Sequence, residues 1–265
     1  GVQSFHDEHL AHLGRIHSGR EAVRAVETAH KAGFDNFNLD LMYGLPQQTA
    51  KQALDDIANA VDLCPTHISY YQLTLEPNTL FYSKPPLLPD EDIVHQIETR
   101  CRDRLRQAGY ARYETSAYAR PGSQCQHNVN YWEFGDYLGI GAGAHGKLTS
   151  IQQQAIARSW KVKNPRDYLQ QAGQAARVGG STTPGEAEVC FEFMLNALRL
   201  TDGFDSRLFA QRCGLPITRI ERGLNEAQER GLLEWSVERI LPTEQGHTFL
   251  NDLTALFLPE HSHAG

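Results

Sequence analysis

The first half of this chain is predicted to be α/β, with helix-covered parallel strands, and the last third to be a winged-helix-like helical module. Helix and strand signals alternate up to about residue 120, and the strands sort into one polar and one apolar face. After Thr183-Pro184-Gly185 the pattern breaks into short helices around a single hairpin.

The elements follow in order. Ser18 and Glu21 form a capping-box pair, Ala22, Ala25, Val26 and Ala29 mark one helical face, and Gly33 falls where the helix stops. A strand over residues 34–43 is halted by Gly44-Leu45-Pro46, and a helix over 49–62 leads to a second strand from His67 to about Glu76. Pro89-Asp90 opens another helix ending at Gly109, and residues 111–120 read as a third strand. In period-two terms Asn36, Asn38 and Asp40 share one face of the first strand, and Phe37, Leu39, Leu41 and Tyr43 share the other. The second strand groups Tyr70, Gln72, Thr74 and Glu76. A sheet covered by amphipathic helices keeps its apolar face under them. The polar rows are therefore expected to face a barrel interior or cleft, with the site at the strands' C-terminal ends.

Residues 121–149 are rich in Gly and aromatic residues, and 151–185 are low in large apolar ones, which reads as a connecting arm. Short helices are expected over 186–200, 206–214 and 218–231, then a hairpin within 232–242 and a last helix over 244–257. The organisation expected is thus 1–150, 151–185 and 186–265. The chain begins without Met, on what reads as the end of a strand, and is expected to be N-terminally truncated.

Charge narrows the function. The net −7 over 265 residues disfavours a nucleic-acid partner, because phosphate binding needs clustered Lys and Arg. Residues 186–265 hold seven Arg, no Lys and thirteen Asp plus Glu, so the helical module is expected to pack against protein, not DNA. No apolar run reaches the roughly 18 residues of a membrane-spanning helix. Cys64, Cys101, Cys125, Cys190 and Cys213 are scattered, which excludes a CxxC pair and fits unpaired thiols in a reducing cytoplasm.

Five segments occur in order at the spacing of one family: Gly1-Val2-Gln3-Ser4; Leu13-Gly14-Arg15; residues 38–46, NLDLMYGLP; residues 71–77, YQLTLEP; and residues 113–119, YETSAYA. On them the chain resembles the radical S-adenosylmethionine (SAM) family of oxygen-independent coproporphyrinogen III oxidase-like proteins. His127-Asn128-Val129-Asn130-Tyr131, an HNxxY motif, is similar to the HemW-type heme-chaperone branch. The resemblance implies a partial (β/α)6 radical-SAM barrel carrying a HemN C-terminal-like winged-helix module. It maps SAM contacts onto Gln3, Arg15, Asp40 and Thr74, with a backbone contact near His145. The residue types suit the ligand: Asp pairs with an ammonium or ribose hydroxyl, Arg grips a carboxylate, and Gln both donates and accepts.

The resemblance further implies heme contacts at His127, Asn128 and Tyr131, with His127 as an iron ligand or a residue that orients one. Cys125 is a minor thiolate alternative. The glycines at 139, 141 and 143 lack the strand–helix unit of a dinucleotide loop and are expected to let backbone approach SAM. The family's CxxxCxxC triad for a [4Fe–4S] cluster and its Gly-Gly-Thr-Pro-like loop are absent from these residues. The expected function is a heme chaperone without catalytic residues of its own here, passing heme to acceptors such as respiratory membrane proteins. The alternative is a coproporphyrinogen III oxidase of porphyrin biosynthesis, and a third reading is a SAM-dependent enzyme on an unrelated substrate. The C-terminal module is left two roles, homodimer formation or membrane docking.

Overall fold

The computed structural model describes residues 1–150 and 155–259. They form two compact units divided between Cys125 and Gln126. Residues 126–150, expected with the barrel strands, group with the C-terminal module.

In the first unit α1 (Asp7–His12) and α2 (Gly19–Lys31) precede β1 (Asn38–Tyr43), followed by α3 (Ala50–Asp62), β2 (His67–Gln72), α4 (Leu80–Ser83), α5 (Glu91–Gln107), β3 (Ala111–Glu114) and β4 (Ala117–Ala119). The capping box predicted from sequence forms, Ser18 and Glu21 exchanging both of its bonds; Thr49 and Gln52 make a second one, and Asp90 caps α5. The sheet order is β1-β2-β4-β3, with β1 and β2 parallel. The expected third strand is instead a hairpin: β3 and β4 are antiparallel and turn at Thr115-Ser116, so the sheet is mixed. β1 is also shorter than expected, because residues 34–37 stay outside the ladder. Leu39, Leu41, Ile68 and Tyr70 face Ile57 of α3 and Ile97 and Leu105 of α5 in the unit's core.

The second unit begins with α6 (Gln126–Trp132), then β5 (His145–Ser150), β6 (Ala155–Lys161), α7 (Pro165–Gln170) and β7 (Val178–Thr182). These strands make an antiparallel sheet, β5-β6-β7, so the expected arm carries sheet structure; residues 151–154 of that expectation lie outside the described residues. After it come α8 (Glu186–Ala197), β8 (Phe204–Asp205), α9 (Arg207–Cys213), α10 (Glu221–Glu229), β9 (Leu233–Trp235), β10 (Arg239–Pro242), α11 (Glu244–Thr248) and α12 (Leu250–Ala255). β9 and β10 are the expected hairpin, and β8 pairs with the free side of β10. The expected last helix breaks at Phe249, whose ψ of 44° is not helical. Phe193 of α8 anchors this core, its ring edge-on to Phe204 and Phe209 and also to Phe134, just past α6. No helix among the described residues is long and apolar enough to cross a membrane.

Candidate functional site

The polar row read around Asp40 exists, but its companions on β2 differ from those expected. The register sets Asn38 opposite His67, Asp40 opposite Ser69 and Met42 opposite Tyr71. Tyr70, expected in the polar row, stands opposite Leu41 in the core and is 4% exposed. The polar face therefore carries His67, Ser69 and Tyr71, which sequence reasoning passed over. Asp40 Oδ1 accepts from the Tyr71 hydroxyl at 2.7 Å and from Asn38 Nδ2 at 2.6 Å. His67 spans Asn38 Oδ1 (2.7 Å) and the Tyr113 hydroxyl (2.8 Å). Burial pulls the His67 imidazole below its usual pKa, against the pull of the Asp40 charge. Burial, then the bond to Asp40, pushes the Tyr71 phenol well up.

Gln3 sits beside this row. It pairs with β1 as a single parallel bridge to Leu41: its N–H donates to Asp40 O at 2.7 Å, and its carbonyl accepts from Met42 N at 2.8 Å. Its φ of +69° is a left-handed conformation costly for a non-glycine residue. It is held by the next two residues, since buried Asp56 of α3 accepts from the Ser4 hydroxyl and from Phe5 N. A cleft of about 530 Å³ adjoins Asn38 and Asp40, walled by Ala25, Val26 and Ala29 of α2 with Phe37 and Leu39. Arg15 and Thr74 are both exposed, and the Thr74 hydroxyl donates to Glu76 at 2.8 Å. Thr74 lies two residues beyond the end of β2. His145 opens β5 in the second unit, opposite Trp160.

The HNxxY segment is α6. His127 is exposed and meets the Tyr131 ring edge-on at 4.7 Å, one helical turn on; Tyr131 meets Tyr137 at 4.5 Å. Burial and then Tyr137 raise the Tyr131 phenol pKa. Asn128 is half-buried and Cys125, just before the helix, is a half-buried free thiol. The C-terminal end of α6 is fastened to the unit's core. The Arg199 guanidinium lies 4.3 Å from the Trp132 ring centre, Glu133 pairs with Arg212 at 3.8 Å, and Phe134 packs on Phe193.

Beyond α6, the buried Lys147 ammonium donates to Phe134 O (2.9 Å), Asp136 Oδ1 (3.0 Å) and the Thr149 hydroxyl (3.3 Å). Tyr137 and Lys147 also exchange both backbone bonds. Burial lowers the Lys147 pKa, and its bond to Asp136 resists that shift. The close glycines have a use nearer than a ligand: a Cβ on Gly139 would stand 2.4 Å from His145 O, so the approaching backbone is the chain's own. Among the described residues no three His, Cys, Asp or Glu side chains are placed to hold a metal ion.

A family model of the HemN C-terminal domain matches residues 186–249. The heme chaperone HemW of Escherichia coli (strain K12) is 48% identical over 261 residues, covering 98% of this chain and 68% of that protein. The chain belongs to the HemW family. The HemW of Haemophilus influenzae is 45% identical over 98% of this chain and 67% of its own length, and that of Bacillus subtilis 32% over 98% and 69%. Among solved structures, the radical SAM enzyme coproporphyrinogen III oxidase (HemN) of E. coli superposes with a TM-score of 0.74. It shares 20% identity, and the match covers 97% of this chain but 62% of that one. That likeness establishes a shared mixed α/β fold. The chain spans about two thirds of the length of these HemW relatives.

Proposed function

We propose that this chain is the larger part of a cytoplasmic heme-binding chaperone that hands heme to acceptor proteins such as those of respiratory membranes. One observation carries the reading: His127 stands exposed on a short helix whose far end is bolted into a hydrophobic core. An imidazole on a fixed support, with a tyrosine ring one turn away, suits an axial iron ligand beside the apolar porphyrin plane. Asn128 and Tyr131 would complete the heme contacts. Cys125, half-buried just before the helix, is placed second as an iron ligand.

In the same reading Gln3, Arg15, Asp40, Thr74 and His145 would hold SAM. The residues of β1 fit it: Asp40 keeps one carboxylate oxygen without a hydrogen bond among the described residues, at the mouth of a cleft. SAM, with a [4Fe–4S] cluster bound by residues outside this sequence, would supply redox chemistry that governs heme transfer or assembly state. The partial (β/α)6 barrel and the winged-helix reading of α8–β8–α9–α10–β9–β10 belong to this proposal, as does a homodimer through the acidic module.

The test is titration of hemin into the full-length protein. A shifted Soret band should appear for the wild type and for Cys125→Ser, and be lost in His127→Ala. A full Soret shift in His127→Ala would overturn the assignment, as would decarboxylation of coproporphyrinogen without heme retention.

A further inference from the structure

On the polar face of the first sheet, hydrogen-bond donors line up toward one oxygen atom. Asn38 Oδ1 accepts from the Ser69 N–H and hydroxyl, each at 3.1 Å, so it must also be the acceptor toward His67 Nδ1 at 2.7 Å. His67 therefore carries its proton on Nδ1, and its Nε2 accepts from the Tyr113 hydroxyl at 2.8 Å. That choice turns the Asn38 amide nitrogen toward Asp40, where it donates to Oδ1 at 2.6 Å; the Tyr71 hydroxyl donates to the same oxygen at 2.7 Å. Oδ2 accepts no hydrogen bond among the described residues. The Asp40 side chain is 32% exposed.

We infer that Asp40 offers its ligand a single oxygen, Oδ2, and that Tyr71 is the residue that positions it. The inference rests on the SAM reading of Asp40 and deepens it. The terminal torsion of a carboxylate is broad and nearly two-fold, so an unheld Asp exchanges its two oxygens and weakens any directed contact. Two donors on Oδ1 remove that freedom, and charge-assisted bonds of this kind are the short, strong ones. With Oδ1 saturated, the carboxylate cannot grip two neighbouring hydroxyls, one with each oxygen. Oδ2 has room for two donors, so the ligand groups met there, an ammonium or ribose hydroxyls, converge on that one oxygen. Tyr71 approaches from β2, opposite Met42, and acts only through Asp40.

The test uses full-length protein reconstituted anaerobically with its iron–sulfur cluster. SAM binding is measured by equilibrium dialysis for wild type, Tyr71→Phe, Asp40→Asn and the double variant, with thermal melts as a folding control. Loss of one bond to a charged group predicts about tenfold weaker binding for Tyr71→Phe and a larger loss for Asp40→Asn. The double variant should bind no worse than Asp40→Asn, because the phenol acts through the carboxylate alone. Wild-type affinity in Tyr71→Phe, or losses that multiply in the double variant, overturns the positioning role while leaving SAM at Asp40. Wild-type affinity in Asp40→Asn overturns both. Should Tyr71→Phe not fold, Asn38→Ala removes the other donor to Oδ1 and is read in the same cycle against the same outcomes.

Discussion

Asp56 links the stability of the first unit to pH in a direction opposite to that of most carboxylates. Its side chain is fully buried on α3, where it accepts from the Ser4 hydroxyl at 2.8 Å and from Phe5 N at 2.7 Å. Burial outweighs those bonds and pushes its carboxyl up to about 6 from an ordinary 3.8. The folded state therefore holds a proton that the unfolded chain has released, and folding is favoured at low pH. The contribution is complete below about pH 4 and is lost as pH rises through about 6. A shift of about two units corresponds to about 3 kcal/mol across that window. Asp56→Asn keeps an oxygen for Phe5 N but cannot titrate, so the stability difference, wild type minus variant, should fall by about 2.5 kcal/mol between pH 4 and pH 7. Urea unfolding is followed by the near-ultraviolet circular dichroism of the tyrosines, seven of whose ten lie in the first unit. Trp132, Trp160 and Trp235 all belong to the second unit, and fluorescence would miss the effect. A difference that is constant within about 0.5 kcal/mol, or that grows with pH, would refute a buried protonated Asp56.

Four further outcomes follow from the geometry. Lys147→Met removes the ammonium that holds Phe134 O, Asp136 and Thr149, and because Asp136 is 39% exposed the loss is reduced to about 1–3 kcal/mol, readable by tryptophan fluorescence. The same variant should blunt hemin binding if the Tyr131–Tyr137 ring contact supports α6, since Lys147 and Tyr137 pair backbone to backbone. Gly139→Ala forces a Cβ to 2.4 Å from His145 O and must part Tyr137 from β5, at a cost of about 2 kcal/mol or more; an unchanged melting temperature would show that this strand contact is dispensable. Ser18→Ala or Thr49→Ala removes one half of a capping box and should lower stability by about 1 kcal/mol each in chemical denaturation.

Local chemistry made much of the fold legible, and non-local pairing hid the rest. The helices over 19–31, 50–62 and 91–107 were readable because Ser18, Thr49 and Asp90 cap them, and their ends are marked in sequence by nearby glycines or a change of period. Residues 111–119 looked like one strand because Tyr113, Thr115 and Tyr118 all favour extended backbone; only the pairing of Arg112 with Tyr118 reveals the turn between them. The segment 155–182 read as an arm because its side chains are small or polar. A sheet held by backbone bonds needs few large ones, and here Gly180 passes so close to Trp160 that a Cβ would meet the ring at 2.3 Å. The break at Phe249 has no sequence signal that we can identify.

The candidate site divides along the same line. Asp40 and His127 could be singled out because a carboxylate among alternating apolar residues, or a histidine in a distinctive pentapeptide, is conspicuous within its own segment. Tyr71 and His67 could not, because their importance comes from lying across from Met42 and Asn38, which is a statement about register. In a parallel pair, a slip of one residue would bring Tyr70 to Tyr71's place and send Tyr71 into the core. Both are tyrosines, and no propensity separates them. What separates them is the apolar set Leu39, Leu41 and Ile68, which can be buried together in only one register. The packing of α3 and α5 on that face thus decides, from the far side of the sheet, which tyrosine reaches Asp40.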